Sequence, residues 1–187
     1  VIEKGFGMPA FNNDEIVIPE LMRIGVEKAD AYDYSAIGCI EIAVPGKWGY
    51  RCTGMSFLNF MRVFMAGLRN GADDRSGKTF FPGIGTLTDF TDFDQVMEAW
   101  KKQVQAYARA TVVVDTAVDT ALEELVPDVL CSALVDNCIE RGKTLKEGGA
   151  KYDFISGLQV GIANLGNSLA AIKKLVFETK KISPAAL

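Results

Sequence analysis

The residue pair with the clearest chemical potential is a cysteine and a glutamate two positions apart, Cys39 and Glu41. Their neighbours in the stretch "SAIGCIEIAV" are mostly small and aliphatic residues, a pattern that favours a strand. Side chains alternate across a strand, so Cys39 and Glu41 would share one face and Ile40 would lie on the other. A thiol and a carboxylate on one face can both touch a small substrate, and the carboxylate can act as a general base.

A purely structural interpretation competes with this one. A single cysteine in an apolar strand usually serves as a small buried hydrophobic residue. A buried glutamate costs free energy unless it is paired, and Lys47 or Arg51 is a candidate partner for Glu41. From Cys39 and Glu41 alone, the structural interpretation is favoured.

Composition restricts the alternatives. The chain has 187 residues, 49% of them hydrophobic, and a formal net charge of −4, which suits one globular domain or a piece of a larger protein. Lys and Arg are scattered, so no basic stripe indicates nucleic-acid binding, and no signal peptide opens the chain. The first residue is Val1 in an apolar stretch, from which we expect a chain cut from something longer.

The types of ligand and nucleophile are also limited. The chain contains no histidine, which excludes a Ser-His-Asp or Cys-His arrangement within it and weakens any zinc site, so we expect no metal. The four cysteines form no C-x-x-C motif, which favours reduced thiols and a cytoplasmic location. They are Cys39, Cys52, Cys131 and Cys138.

The hydrophobic pattern predicts a mostly helical α/β chain. Residues 32–44 are predicted to form a strand, 45–54 a loop, and 56–70 a helix that Gly71 closes. Asn13 or Asp14 is predicted to cap an earlier helix. Apolar residues then recur at alternating steps of four and three from Phe93 to Leu125, which predicts one helix about 50 Å long.

Two further helices are predicted towards the end of the chain. One covers residues 128–141, where Cys131 and Cys138 would share a face as small core residues. The last carries an apolar seam that runs from Leu158 to Val176. The segment from Phe154 to Ile172 contains no charged residue. It includes too many polar groups for a lipid-facing span, so no membrane segment is predicted.

Several of these segments together resemble the glycyl radical enzymes. The resemblance rests on "GCIE" (38–41), on "PGKWGYRCTG" (45–54) with the Phe57-Leu58-Asn59 segment after it, and on residues 133–178 with their Gly-Gly-x-x-Tyr element (148–152). It is strongest with the pyruvate formate-lyase-like, dehydratase-type branch. Residues 1–187 fit a single central segment of the catalytic domain, without the C-terminal glycine radical domain.

The resemblance implies a fold and a chemistry. The fold would be part of a strand barrel surrounded by long helices, with Cys39 on a loop inside the barrel. A glycine outside this chain would store a radical and take the thiol hydrogen of Cys39. The thiyl radical would abstract hydrogen from a small hydroxylated substrate, Glu41 would act as general base, and an adjacent group would be eliminated.

The resemblance also implies partners, and the position of the loop after Glu41 indicates candidate pocket residues. A radical S-adenosylmethionine enzyme would activate the full-length protein, which would be a homodimer and would act in anaerobic metabolism. The isolated chain would be inactive. Tyr50, Arg51 and Thr53, in the loop after Glu41, are candidate substrate-binding residues. Asn12 and Asn13, at the end of an earlier segment of strand-like pattern, are similar candidates.

Two other functions stay open. Pyruvate formate-lyase carries two adjacent cysteines, whereas Gly38 and Ile40 flank Cys39 here, which favours a lyase of the dehydratase type. The first alternative is nevertheless a formate C-acetyltransferase, that is, a transferase that uses one cysteine. The second is a non-catalytic fragment that only assembles with partner chains.

Overall fold

The structure, a computed structural model, describes residues 2–5, 11–38, 41–49, 56–154 and 157–187. It divides into two compact units. The first comprises Val1–Arg51 and Leu125–Phe154, and the second comprises Cys52–Glu124 and Ile155–Leu187.

The first unit combines short helices with one hairpin. Its elements are α1 (Asp14–Arg23), α2 (Lys28–Tyr32), β1 (Ser35–Ile37), β2 (Glu41–Ala43), α5 (Val129–Leu134) and α6 (Cys138–Arg141). The side chain of Asn13 caps α1 by accepting a hydrogen bond from the backbone N–H of Glu15 at 3.0 Å, as the sequence predicted. The core of this unit packs around two fully buried alanines, Ala31 and Ala43, with Trp48 and Tyr152 beside them.

The second unit is built on one long helix. Its elements are β3 (Phe57–Asn59), α3 (Phe60–Gly67), α4 (Phe93–Leu125), β4 (Leu158–Val160) and α7 (Ile162–Ile172). Helix α4 has 33 residues, or about 50 Å, which confirms the prediction from the apolar seam. Phe64, Val96 and Leu165 are among the buried residues of its core.

The prediction of one continuous strand over residues 32–44 is wrong, because the range contains two paired strands. Strand β1 pairs antiparallel with β2, so the chain reverses between them, and Tyr32 belongs to α2. Gly38 has a φ of +57°, a backbone conformation that glycine adopts without steric cost. A run of β-branched and small residues therefore does not distinguish one long strand from a hairpin.

Two predicted helices are also shorter than expected. Residues 57–59 form β3, which pairs in parallel with β4, and the Asn59 side chain then caps α3. The predicted helix over 128–141 breaks into α5 and α6 at Asn137, whose φ is +76°. Cys131 is accordingly exposed while Cys138 is buried, so the two cysteines do not share a core face.

The predicted mostly helical composition is confirmed, whereas the barrel is not. The described part of the chain contains two sheets of two strands each, β1–β2 and β3–β4, and these do not close into a barrel. None of the described helices combines the length and the apolar character that crossing a membrane requires.

Candidate active site

The candidate site is built on the hairpin in which β1 pairs antiparallel with β2. Its register pairs Ser35 with Ala43, Ala36 with Ile42 and Ile37 with Glu41. Paired residues of an antiparallel ladder point to the same face. Ile37 and Ile42 pack against the core of the first unit, which anchors both strands. Glu41 is thus the first residue of β2, a strand that the core holds in place.

The carboxylate of Glu41 lies against the backbone of Gly38. A Cβ atom added to Gly38 would be 2.8 Å from Oε2 of Glu41, closer than side-chain carbon atoms approach other atoms in proteins. Glu41 is half-buried. Glycine at position 38 therefore serves two purposes, because it allows the positive φ of the turn and leaves room for the carboxylate.

Most of the other predicted site residues fall outside the described residues. These are Cys39, Tyr50, Arg51 and Thr53, and their roles stay predictions. Asn12 and Asn13 are exposed, and Asn13 has a structural role as the cap of α1.

A buried carboxylate, Asp30 of α2, lies at the base of the hairpin. It is 4% exposed. Its Oδ1 accepts a hydrogen bond from Nζ of Lys47, and its Oδ2 accepts bonds from Nζ of Lys151 at 2.7 Å and from the hydroxyl of Tyr152 at 2.6 Å. The Tyr152 hydroxyl in turn accepts a bond from the backbone N–H of Glu27 at 3.0 Å. We call these four residues (Asp30, Lys47, Lys151 and Tyr152) the Asp30 cluster.

The electrostatics of the Asp30 cluster keep its carboxylate and its two lysines charged. Hydrogen bonds from Lys151, Lys47 and Tyr152 hold the pKa of the Asp30 carboxyl far below its usual range, and they outweigh its burial. The same contact with Asp30 raises the pKa of Lys151 and of Lys47. Lys47, one of the partners considered for Glu41, thus forms an ion pair with Asp30.

The Gly-Gly-x-x-Tyr element supports the same region through its backbone. Tyr152 forms a parallel bridge with Trp48, in which its N–H donates to the carbonyl of Lys47 at 2.9 Å. A Cβ atom on Gly49 would lie 2.6 Å from Oδ1 of Asp153, and one on Gly149 would lie 2.4 Å from the carbonyl oxygen of Lys143. Both glycines therefore allow two chain segments to approach closely.

No pattern in the sequence indicates the Asp30 cluster. Asp30 lies in the short segment "KADAY", whose pattern is that of an ordinary surface helix. Lys151 and Tyr152 are 121 and 122 positions away along the chain, so no local pattern connects them with Asp30. Only the fold reveals that this carboxylate is buried between two lysines.

Potential metal ligands are dispersed in the part of the chain that the structure describes. No group of three or more Cys, Asp or Glu side chains there is arranged to hold a metal ion.

Comparison with known proteins identifies relatives across the whole chain. The family model described as "Pyruvate formate lyase-like" matches residues 1–187. The Escherichia coli K12 protein named "Probable dehydratase YbiW" is 64% identical over 189 residues, which is 100% of this chain and 23% of that protein. The trans-4-hydroxy-L-proline dehydratase of Clostridioides difficile is 35% identical over 183 residues, covering 97% of this chain and 23% of the relative.

A solved structure agrees with these sequence relatives. The glycerol-bound form of the B12-independent glycerol dehydratase from Clostridium butyricum matches with a TM-score of 0.86 and 38% identity, over 97% of this chain and 23% of that one. The chain thus spans less than a quarter of the length of these relatives. Both the sequence and the fold confirm the resemblance noted at residues 38–54 and 133–178, and the chain belongs to the pyruvate formate lyase-like family of glycyl radical enzymes.

Proposed function

We propose that this chain carries the thiol and the carboxylate of a glycyl radical dehydratase that acts on a small hydroxylated compound. The observation that carries the proposal is the position of Glu41, half-buried at the start of β2 with its carboxylate against Gly38, two residues after Cys39. Strands β1 and β2 are anchored in the core on either side of Cys39, and fixed placement accelerates reactions between neighbouring groups.

Each residue has one task in the proposed reaction. A radical on a glycine outside this chain supplies an acceptor for a hydrogen atom. Cys39 gives up its thiol hydrogen, and its sulfur then takes a hydrogen atom from the substrate carbon that bears a hydroxyl. This hydroxyl becomes much more acidic, so that the Glu41 carboxylate removes its proton.

Elimination completes the cycle without a further reactant. The bond between the neighbouring carbon and its hydroxyl breaks, and the hydroxide leaves with the electron pair. It takes up the proton held by Glu41 and departs as water. Cys39 returns its hydrogen atom to the product radical. The net reaction of a vicinal diol is then the loss of one water to give an aldehyde or ketone.

Two observations favour dehydration over acetyl transfer. Gly38 and Ile40 flank Cys39, so the chain lacks a second cysteine next to it for an acyl group. The relatives named above are dehydratases by name, and their named compounds, glycerol and trans-4-hydroxy-L-proline, carry hydroxyl groups. A small hydroxylated substrate is therefore the class to test first.

The test uses the full-length gene product after anaerobic activation by its radical S-adenosylmethionine partner. Vicinal diols, glycerol, hydroxyproline isomers and amino alcohols are offered separately, and carbonyl products are quantified. We expect turnover of at least one hydroxylated compound. Cys39→Ala should remove it, and Glu41→Gln should reduce kcat by about 10²-fold or more, the usual contribution of a general base.

Cys131→Ala is the matched control, since Cys131 is an exposed cysteine. It should retain the wild-type rate. Formate production from pyruvate and coenzyme A would favour the acetyltransferase instead. Turnover that survives Cys39→Ala, or no product from any compound with a full complement of radical, would contradict the proposal.

A further inference from the structure

The Asp30 cluster connects the two ends of the β1–β2 hairpin. Asp30 lies in α2, five residues before β1 begins, and Lys47 follows β2 by four residues. The ion pair between them closes a loop that contains Gly38, Cys39 and Glu41. Within the first unit, this contact fixes where the hairpin enters and where it leaves.

The other half of the Asp30 cluster attaches this loop to a distant part of the chain. Lys151 and Tyr152 bond to the second oxygen of Asp30, and Lys151 also pairs with Glu27 at 3.0 Å. The bridge between Trp48 and Tyr152 ties the same segment to the residue after Lys47. Helix α2, Lys47 and residues 151–152 thus meet at one carboxylate.

Burial makes Asp30 an effective anchor. Its side chain is 5% exposed, compared with 30% for Lys47 and 25% for Lys151. A buried carboxylate with three donors is held in one orientation, because any rotation would leave a charged group without partners in a low-dielectric environment. The hairpin also has an apolar anchor in Ala43 and Ile42, but apolar contacts are non-directional, whereas the hydrogen bonds of Asp30 also fix an orientation.

We propose that Asp30 is a positioning residue that holds β1 and β2, the strands on either side of Cys39, and with them the Glu41 carboxylate, in the reactive position. This inference rests on the proposed function. Asp30 acts through Lys47 and the hairpin and does not touch substrate. Its loss displaces the reacting groups while leaving the radical intact.

The test compares Asp30→Asn with Asp73→Asn in the full-length protein. Asp73 is a matched control, because its side chain is 10% exposed, pairs with Arg62, and accepts bonds from the backbone and hydroxyl of Ser76 at 2.9 and 2.8 Å. These partners belong to the second unit. The two variants remove comparable interactions, of which only one brackets the hairpin.

Two readouts separate positioning from general destabilisation. Hydrogen exchange of the unactivated protein should be at least tenfold faster in peptides covering residues 35–44 of Asp30→Asn, but unchanged there in Asp73→Asn. After activation, Asp30→Asn should lose about tenfold or more in kcat, with little change in KM and with wild-type radical content by electron paramagnetic resonance. Asp73→Asn should keep the wild-type kcat.

A second variant keeps the proposal testable if Asp30→Asn does not fold. Lys47→Met leaves Asp30 bonded to Lys151 and Tyr152 and removes only the link to the end of the hairpin, so it should produce the same two effects. Unchanged exchange of residues 35–44 in the folded variant would overturn the proposal, as would a kcat equal to that of Asp73→Asn.

Failure of the proposed function can be told apart from failure of the positioning role of Asp30. If the activated wild-type protein converts none of the offered compounds, the dehydratase assignment fails, while the exchange of residues 35–44 still decides whether Asp30 holds the hairpin.

Discussion

Replacing Gly38 with alanine tests whether the position of the Glu41 carboxylate matters for catalysis. An alanine Cβ would lie 2.8 Å from Oε2 of Glu41, whereas ordinary contact begins at 3.4 Å, so the carboxylate must move by about 0.6 Å. The positive φ of +57° adds backbone strain of about 1 kcal/mol for any residue with a Cβ. The substitution therefore combines a small loss of stability with a defined displacement of the proposed base.

The expected kinetic effect follows from the size of this displacement. A misplacement of about 1 Å at reacting groups can reduce a rate by about 10²-fold, so a shift of about half that distance should reduce kcat by about tenfold. Tenfold corresponds to about 1.4 kcal/mol in the activation free energy. Radical content should stay at the wild-type level, because the change affects proton transfer.

Gly142→Ala separates strain from displacement. Gly142 has a φ of +60°, and an added Cβ would meet nothing within 4 Å. Both variants should lose about 1 kcal/mol of stability, measured by denaturant unfolding of the full-length protein. Only Gly38→Ala should lose activity. Equal kcat values for the two variants would refute the reasoning that the carboxylate beside Gly38 takes part in the reaction.

Two further predictions concern the second unit. Asn59→Ala should destabilise the full-length protein by about 1 kcal/mol in denaturant unfolding. The reason is that the Asn59 side chain accepts hydrogen bonds from the N–H groups of Met61 and Arg62 at 3.1 and 3.2 Å. An unchanged free energy of unfolding would mean that water replaces this cap. Hydrogen bonds from the backbone and hydroxyl of Ser76 and from Arg62 lower the pKa of Asp73 to about 2, so its stabilisation is complete above the unfolded pKa of about 3.9 and is lost as pH falls through 2. The difference in thermal stability between wild type and Asp73→Asn should therefore shrink between about pH 5 and pH 2, and a constant difference would contradict this origin.

The sequence predicts the elements whose signal is long and local. Helix α4 follows from an apolar seam that continues from Phe93 to Leu125, and the cap of α1 follows from Asn13 before an acidic first turn. Each of these signals lies within the element it predicts. A continuous periodic pattern is the most reliable of such signals.

The errors occur where a single residue or a distant partner decides. Gly38 turns an apparent strand into a hairpin, and Asn137 divides an apparent helix, although neither interrupts the apolar pattern around it. Residues 57–59 form β3 because they pair with residues 158–160, about one hundred positions later. Pairing over that distance leaves no trace in a local window.

The candidate site shows the same division. The spacing of Cys39 and Glu41 is visible in the sequence, and together with the later Gly-Gly-x-x-Tyr element it leads to the family. The contact of Glu41 with Gly38 and the burial of Asp30 between Lys47 and Lys151 arise only from the fold. Burial of a charged residue depends on its three-dimensional partners, and a charged residue in a short polar helix otherwise predicts an exposed side chain.

An isotope label tests the role of Cys39 most directly. The activated full-length protein is given a substrate that carries deuterium on the carbon from which the thiyl radical would abstract hydrogen. The hydroxyl that leaves is on the neighbouring carbon. If the sulfur of Cys39 takes this atom and returns it, the deuterium appears in the product on the neighbouring carbon, the one that lost its hydroxyl, and Cys39→Ala forms no product. Product in which no deuterium has moved to the neighbouring carbon, or labelled product from Cys39→Ala, would contradict the account.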